Sequence, residues 1–218
     1  MLVCRNPEQN YYMGIDRLED CLRRHPALGN CAYSIKNVFE ELRQSFEAGG
    51  KLLICGNGGS AADSDHMAAE LLKGFDSKRP LDGPWQKKLG EDLSQNLQGA
   101  LPVIPLTGFS ALTTAYSNDC DGDYTFAQLV FALGQKPDVL LCISTSGNSK
   151  NVLHAAKVAK AKGMRVVGLT GETGGELLGQ VDLCICVPSK VVWEVQEMHL
   201  PVYHTLCLML EDALFGTS

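Results

Sequence analysis

Apolar residues recur at two spacings along the chain, and the spacing changes near residue 50. Before it, helical patterns run from about 8 to 24, ending ahead of Pro26, and from about 28 to 48. In the second, Ile35, Val38, Phe39, Leu42 and Phe46 share one face of a 3.6-residue helix, and Gly49-Gly50 stops it. Beyond it, short apolar runs at 51–55, 101–107, 138–144, 164–170 and 181–187 are bounded by Gly, Pro, Asn or Ser. Several are apolar throughout, as strands covered on both faces are. Helical patterns separate them at 61–75, 124–133 and 148–162, and a last one runs from about 192 to 214. This alternation predicts an α/β fold: a three-layer sandwich with a parallel, doubly wound sheet of about five strands, preceded by N-terminal helices. Right-handed crossovers then gather the strand C-termini at one edge, where ligands bind in open sheets.

The segment 76–100 (DSKRPLDGPWQKKLGEDLSQNLQGA) breaks this rhythm. It is polar, holds Pro80 and Pro84, and fits equally a lid or a partly helical interface element at 87–98. The 218 residues show no repeat or low-complexity tract and are expected to form one domain. Within it, 1–50 is an N-terminal helical segment and 76–100 an insertion.

With 45% hydrophobic and 20% charged residues, the composition excludes a disordered, collagen-like or disulfide-scaffold chain. A formal charge of −6 argues against a broad nucleic-acid-binding face. The opening MLVCRNPEQN does not read as a secretory signal, and no run approaches the ~20 apolar residues of a membrane span. The nine cysteines are scattered, odd in number and without a CxxC pair. They read as free thiols of a reducing compartment, with Cys184 and Cys186 on one face of a strand. The expectation is a cytoplasmic protein with neither nucleic-acid nor membrane partners.

Candidate chemistry falls at three places. The run 51–55 enters Gly56-Asn57-Gly58-Gly59-Ser60 and then a helix. Such a turn lets the backbone approach an anion at a helix N-terminus, but it is neither a Walker A loop nor a GxGxxG fingerprint. The run 138–143 enters Ser144-Thr145-Ser146-Gly147-Asn148-Ser149, where four hydroxyls converge on a helix start. An over-capped helix is the plain reading, yet one N-cap hydroxyl suffices for that, which favours a phosphate cradle. Third, His66 and Glu70 are four apart on one helix face, a spacing used by metal ligands, by acid/base pairs and by ordinary helical contacts. On the last helix, Gln196 and His204 would lie about 12 Å apart along the axis and about 80° around it. One metal could take both only if Pro201 bends the helix or if ligands come from two chains.

Together, CGNGGS at 55–60, STSGNS at 144–149, LTG at 169–171 and VQEMH at 195–199 resemble the sugar-isomerase (SIS) domain family. Within it the chain resembles the phosphoheptose isomerases, which convert sedoheptulose 7-phosphate to a manno-heptose 7-phosphate. The likeness runs in order from about Ser34 onward. It implies His66, Glu70, Gln196 and His204 as metal-binding positions, with Glu70 and His204 the catalytic acid/base pair in either order. It implies Asn57, Gly58 and Ser60 as first-loop contacts to substrate. Ser144, Thr145, Ser146 and Ser149 become the phosphate cradle, and Asp119 and Gln196 lie near the sugar. It also implies zinc, a donor set that manganese, iron or nickel could share, and a homotetramer with active sites shared between subunits.

Three departures stand near the sugar. Gly74 replaces the usual arginine of a Gly-Arg-Tyr/Phe run, Trp193 replaces an aspartate three residues before Gln196, and 76–100 is longer. The activity this implies is aldose–ketose isomerisation through an enediol. Its rivals are isomerisation of another sugar phosphate and a non-catalytic phosphosugar-binding regulator, such as those that associate with the replication initiator. Those regulators generally keep the phosphate loop but lack the Glu and final His, and both are present here as Glu70 and His204.

Overall fold

Five short β-strands, each flanked by helices in sequence, assemble into one parallel sheet in a computed structural model that describes residues 7–216. The opening MLVCRN, part of the stretch read above as no leader, lies outside the described residues. The elements are α1 (Pro7–Arg24), α2 (Ala32–Glu47), β1 (Leu52–Gly56), α3 (Gly59–Leu72), α4 (Gly83–Asn96), β2 (Val103–Pro105), α5 (Ser110–Asp119), α6 (Thr125–Leu133), β3 (Val139–Ser144), α7 (Lys150–Ala161), β4 (Arg165–Thr170), β5 (Leu183–Cys186) and α8 (Val192–Phe215).

The strands run in the order β2-β1-β3-β4-β5, every pair parallel. Because side chains alternate across a strand, each central strand feeds two cores. Leu52, Ile54, Leu141, Ile143, Val167 and Leu169 pack with α1, α2, α3 and α8. Leu53, Cys55, Leu140, Cys142 and Val166 pack with α6 and α7 on the opposite face. The three-layer sandwich is as the pattern predicts. From β1 the chain steps outward to β2 and returns to β3 on the other side of β1. The helices after β1 and β3 therefore leave to opposite faces, and the crevice between the two following loops is the topological switch point.

Four local differences have physical causes. The second helix starts later, because Pro26 nucleates a 3-10 turn at Pro26–Cys31 before α2. The apolar run 101–107 pairs over only three residues, since Leu106–Gly108 turns into a 3-10 helix. Within 76–100 a helix does form, earlier than 87–98: Asp82 caps it by accepting from the Trp85 N–H, and Gly90 (φ 77) breaks it. Helix α5 had no apolar stripe to announce it and buries no residue. Among the described residues, no helix is long and apolar enough to cross a membrane.

Candidate functional site

Both candidate loops lie at the switch point. After β1, the backbone turns through Gly58 (φ 55), and α3 begins at Gly59 with Ser60 buried beneath it. A side chain at residue 59 would strike Gln196, whose Nε2 lies 2.5 Å from a Cβ built there. Asn57 and Asn151 exchange two amide hydrogen bonds, 2.9 and 2.8 Å, tying this loop to the start of α7. Asn151 went unread in the sequence because no motif marks it.

The second loop is shaped by its own hydroxyls. Ser144 Oγ accepts from the Gly147 N–H (3.2 Å) and lies 3.2 Å from Ser149 Oγ, while Ser146 Oγ accepts from the Asn148 N–H. Thr145 holds the loop from below through its carbonyl, which accepts from the Gly171 N–H. Gly147 (φ 67) admits no side chain, since a Cβ there would fall 2.0 Å from the Gly174 carbonyl oxygen. Ser149 occupies the N-cap of α7, yet its side chain makes no capping hydrogen bond. The hydroxyls and the helix N-terminus share one edge, where an anion would meet both.

The acid/base candidates meet between α3 and α8. His66 Nε2 lies 3.4 Å from Glu70 Oε1, one turn on. The His66 ring stands perpendicular to that of His204, with centroids 5.0 Å apart. His204 Nε2 is buried with no hydrogen-bond partner. Burial holds the His204 imidazole below its ordinary range, as does the charge of His66, against the opposing pull of Glu70. Tyr203 places its hydroxyl 3.0 Å from His66 Nδ1 and 3.3 Å from Asp63 Oδ1. Burial raises the Asp63 carboxyl, opposed by the Tyr203 hydrogen bond and by His66. Neither Tyr203 nor Asp63 was singled out from sequence.

Lys73 Nζ donates to Glu70 Oε2 at 3.0 Å. It thus puts a cation on the carboxylate beside the position where the usual arginine is missing. Gly74 itself could not carry that arginine, because a Cβ there would lie 2.2 Å from the Ser77 carbonyl oxygen.

A buried ion pair closes the far end of this cluster. Arg79 and Glu211 are both fully buried and paired at 2.8 Å. Arg79 also donates to the carbonyls of Glu70 (3.2 Å) and Leu71 (2.8 Å) in the last turn of α3, which lack intrahelical partners. Glu211 accepts from the N–H groups of Phe75, Asp76 and Ser77. Burial pushes its carboxyl up, but those amides and Arg79 prevail and leave it below its ordinary value. One ion pair thereby fastens the helix end bearing Glu70 to the helix bearing His204. The acidic pair Glu211-Asp212 inside the apolar run CLMLEDAL was the available signal.

Other residues stand apart. Helix α8 runs on through Pro201, and Gln196 lies over Gly59, seven residues before His66 on α3. Asp119 is exposed at the end of α5, where it accepts from the Asn118 side chain. Within the one chain neither joins the His66–Glu70–His204 cluster. Among the described residues, no group of three or more His, Cys, Asp or Glu side chains is arranged to hold a metal. His154 stacks on Tyr124 and lies 3.0 Å from the Asp123 carbonyl.

Such a sheet edge, with a hydroxyl-rich loop at the switch point, defines a SIS-domain protein, and the SIS domain family matches residues 91–171. The phosphoheptose isomerase of Rhodospirillum rubrum is 43% identical over 195 residues, 89% of this chain and 92% of that protein. That of Thiobacillus denitrificans is 43% identical over 180 residues, 81% and 82% of the two chains. The solved phosphoheptose isomerase of Neisseria gonorrhoeae superposes with a TM-score of 0.72 at 32% identity, over 88% of this chain and 94% of that one. The chain belongs to the phosphoheptose isomerase family.

Proposed function

We propose that this chain converts sedoheptulose 7-phosphate to D-glycero-D-manno-heptose 7-phosphate. The observation that carries this is the meeting, within one chain, of Glu70, His66 and His204 between α3 and α8. Glu70 takes the proton from the carbon beside the ketose carbonyl and returns it to the former carbonyl carbon. His204, kept neutral by burial, moves the proton between the two oxygens of the enediol. Ser144, Thr145, Ser146 and Ser149 hold the phosphate remote from the reacting carbons, with Asn57, Gly58 and Ser60 at the other wall.

His66, Glu70, Gln196 and His204 are chemically suited to a divalent metal, zinc by their nitrogen and oxygen donors. Two features on α3 and α8 fit a cation: the unpartnered His204 Nε2, and the approach of His66 Nε2 to Glu70 Oε1. When bound, such a metal polarises the sugar's oxygens. Gln196 reaches the others by a movement of α8 or from a second copy. The active unit is a homo-oligomer, a tetramer by family likeness, supported by α4, which buries no residue in its own chain and exposes Trp85 and Leu93. The thiol-rich core suits the reducing cytoplasm.

Incubation with a panel of ketose phosphates, with and without chelator, tests the reading. Glu70→Gln is expected to abolish turnover of sedoheptulose 7-phosphate while sugar-phosphate binding stays within about threefold. A fully active Glu70→Gln variant removes Glu70 from the mechanism.

A further inference from the structure

We propose that Tyr203 and Asp63 are positioning residues that hold the neutral His66 imidazole as its Nδ1–H tautomer, with the bare Nε2 lone pair turned toward Glu70. The inference rests on the reading of His66 and Glu70 given above, and it extends to two residues that no motif covers.

The argument is a count of protons. The Tyr203 hydroxyl, on a side chain only 1% exposed, lies between two neighbours, Asp63 Oδ1 at 3.3 Å and His66 Nδ1 at 3.0 Å. A phenol has one proton to give, and the ionised Asp63 carboxylate can only accept. The phenolic proton therefore goes to Asp63, and the contact with His66 is completed only if Nδ1 donates. A neutral imidazole that donates through Nδ1 has no proton on Nε2, since the tautomer is set by the bond the other nitrogen makes.

The consequence falls on the facing pair. His66 Nε2 then confronts Glu70 Oε1 at 3.4 Å, acceptor against acceptor. His204 Nε2, buried and unpartnered, belongs to the adjoining ring, 5.0 Å away by centroids. Lone pairs so arranged are satisfied by a guest that brings positive charge or an O–H proton, whether a divalent cation or a sugar hydroxyl. Asp63 Oδ2 is itself buried without a hydrogen-bond partner, a costly placement. Outer partners of this kind fix ring orientation and donor strength in the groups they support.

Imidazole 15N NMR on the full-length chain, freed of metal and held near pH 8.5, where free imidazoles are neutral, reads the tautomer directly. Comparison with His66→Gln assigns the resonance. The expected spectrum of the unmodified protein has the proton on Nδ1. In Tyr203→Phe, which keeps the ring, and in Asp63→Leu, which leaves the phenol no acceptor but His66, the proton moves to Nε2. Both variants are expected to lose at least about tenfold in kcat on sedoheptulose 7-phosphate, with KM within about threefold, a split that simple loss of folded protein does not produce. If one variant fails to fold, the other carries the test. A proton on Nε2 in the unmodified protein, an unchanged tautomer in the variants, or an undiminished kcat overturns the proposal. An Nδ1–H tautomer in a protein that turns over no heptose phosphate supports the positioning and removes the proposed activity instead.

Discussion

His199 shows how far burial alone can move a group. Its ring is fully buried on α8, and among the described residues neither ring nitrogen makes a well-formed hydrogen bond. Burial pushes the imidazole from its usual 6.5 down to about 4, against a weaker pull from the Thr170 backbone. The folded protein thus keeps His199 neutral where the unfolded chain would protonate it. Between pH 6.5 and about 4 the unfolded state binds the extra proton, so stability is complete above 6.5 and declines as pH falls through that window. The full loss from this one residue is on the order of 3 kcal/mol. Urea unfolding from pH 7 to 4 is expected to show a slope shallower by about one proton in His199→Phe than in the unmodified protein. Equal slopes would mean that His199 titrates alike in both states.

At the scale of elements, the Arg79–Glu211 pair decides how α3 meets α8. Glu211 is seven residues beyond His204, two turns on and on the same helix face. Arg79→Met leaves Glu211 buried with three backbone amides but no counter-charge, and the expected cost is about 3 kcal/mol in urea unfolding. Arg79→Met with Glu211→Gln is expected to recover part of that loss, whereas a loss below about 0.5 kcal/mol in the single variant would mean the pair carries no such weight. This pair also marks the limit of what can be read from sequence. The strands, α3, α6, α7 and α8 were legible because each carries a buried apolar stripe or run, and the two loops because glycine and serine cluster at strand ends. Arg79 and Glu211 were not, because a buried charge has no period and its partner lies 132 residues away. Tyr203 likewise reads as one more aromatic on an apolar face until Asp63 and His66 are seen around its hydroxyl.

The molecule as a whole carries one helix, α4, that its own core does not explain, and another, α5, that it holds only through Leu112. Helix α4 buries no residue, is interrupted at Gly90, and exposes Trp85 (49%) and Leu93 (48%), with Leu97 (48%) just beyond it. An isolated helix of that length is marginal in water, and its own chain secures it chiefly at the base, through the Pro80–Gln98 bridge and the Gly99 N–H to the Arg79 carbonyl. Helix α5 rests only Leu112 on the core and ends at the exposed Asp119. A second copy laid over these faces would cover the apolar side chains, and it could bring Asp119 or Gln196 to a neighbour's His66–Glu70–His204 cluster, which neither reaches in its own chain. Trp85→Glu with Leu93→Glu places two charges on that face without touching a buried side chain. Light scattering is expected to show the assembly falling toward the 23.6 kDa of one chain, with the far-ultraviolet circular dichroism nearly unchanged. Turnover should fall at least tenfold with it, on the order of 1.4 kcal/mol in the barrier. An unchanged mass would take α4 out of the interface, and a monomer with full activity would show that one chain holds the whole site.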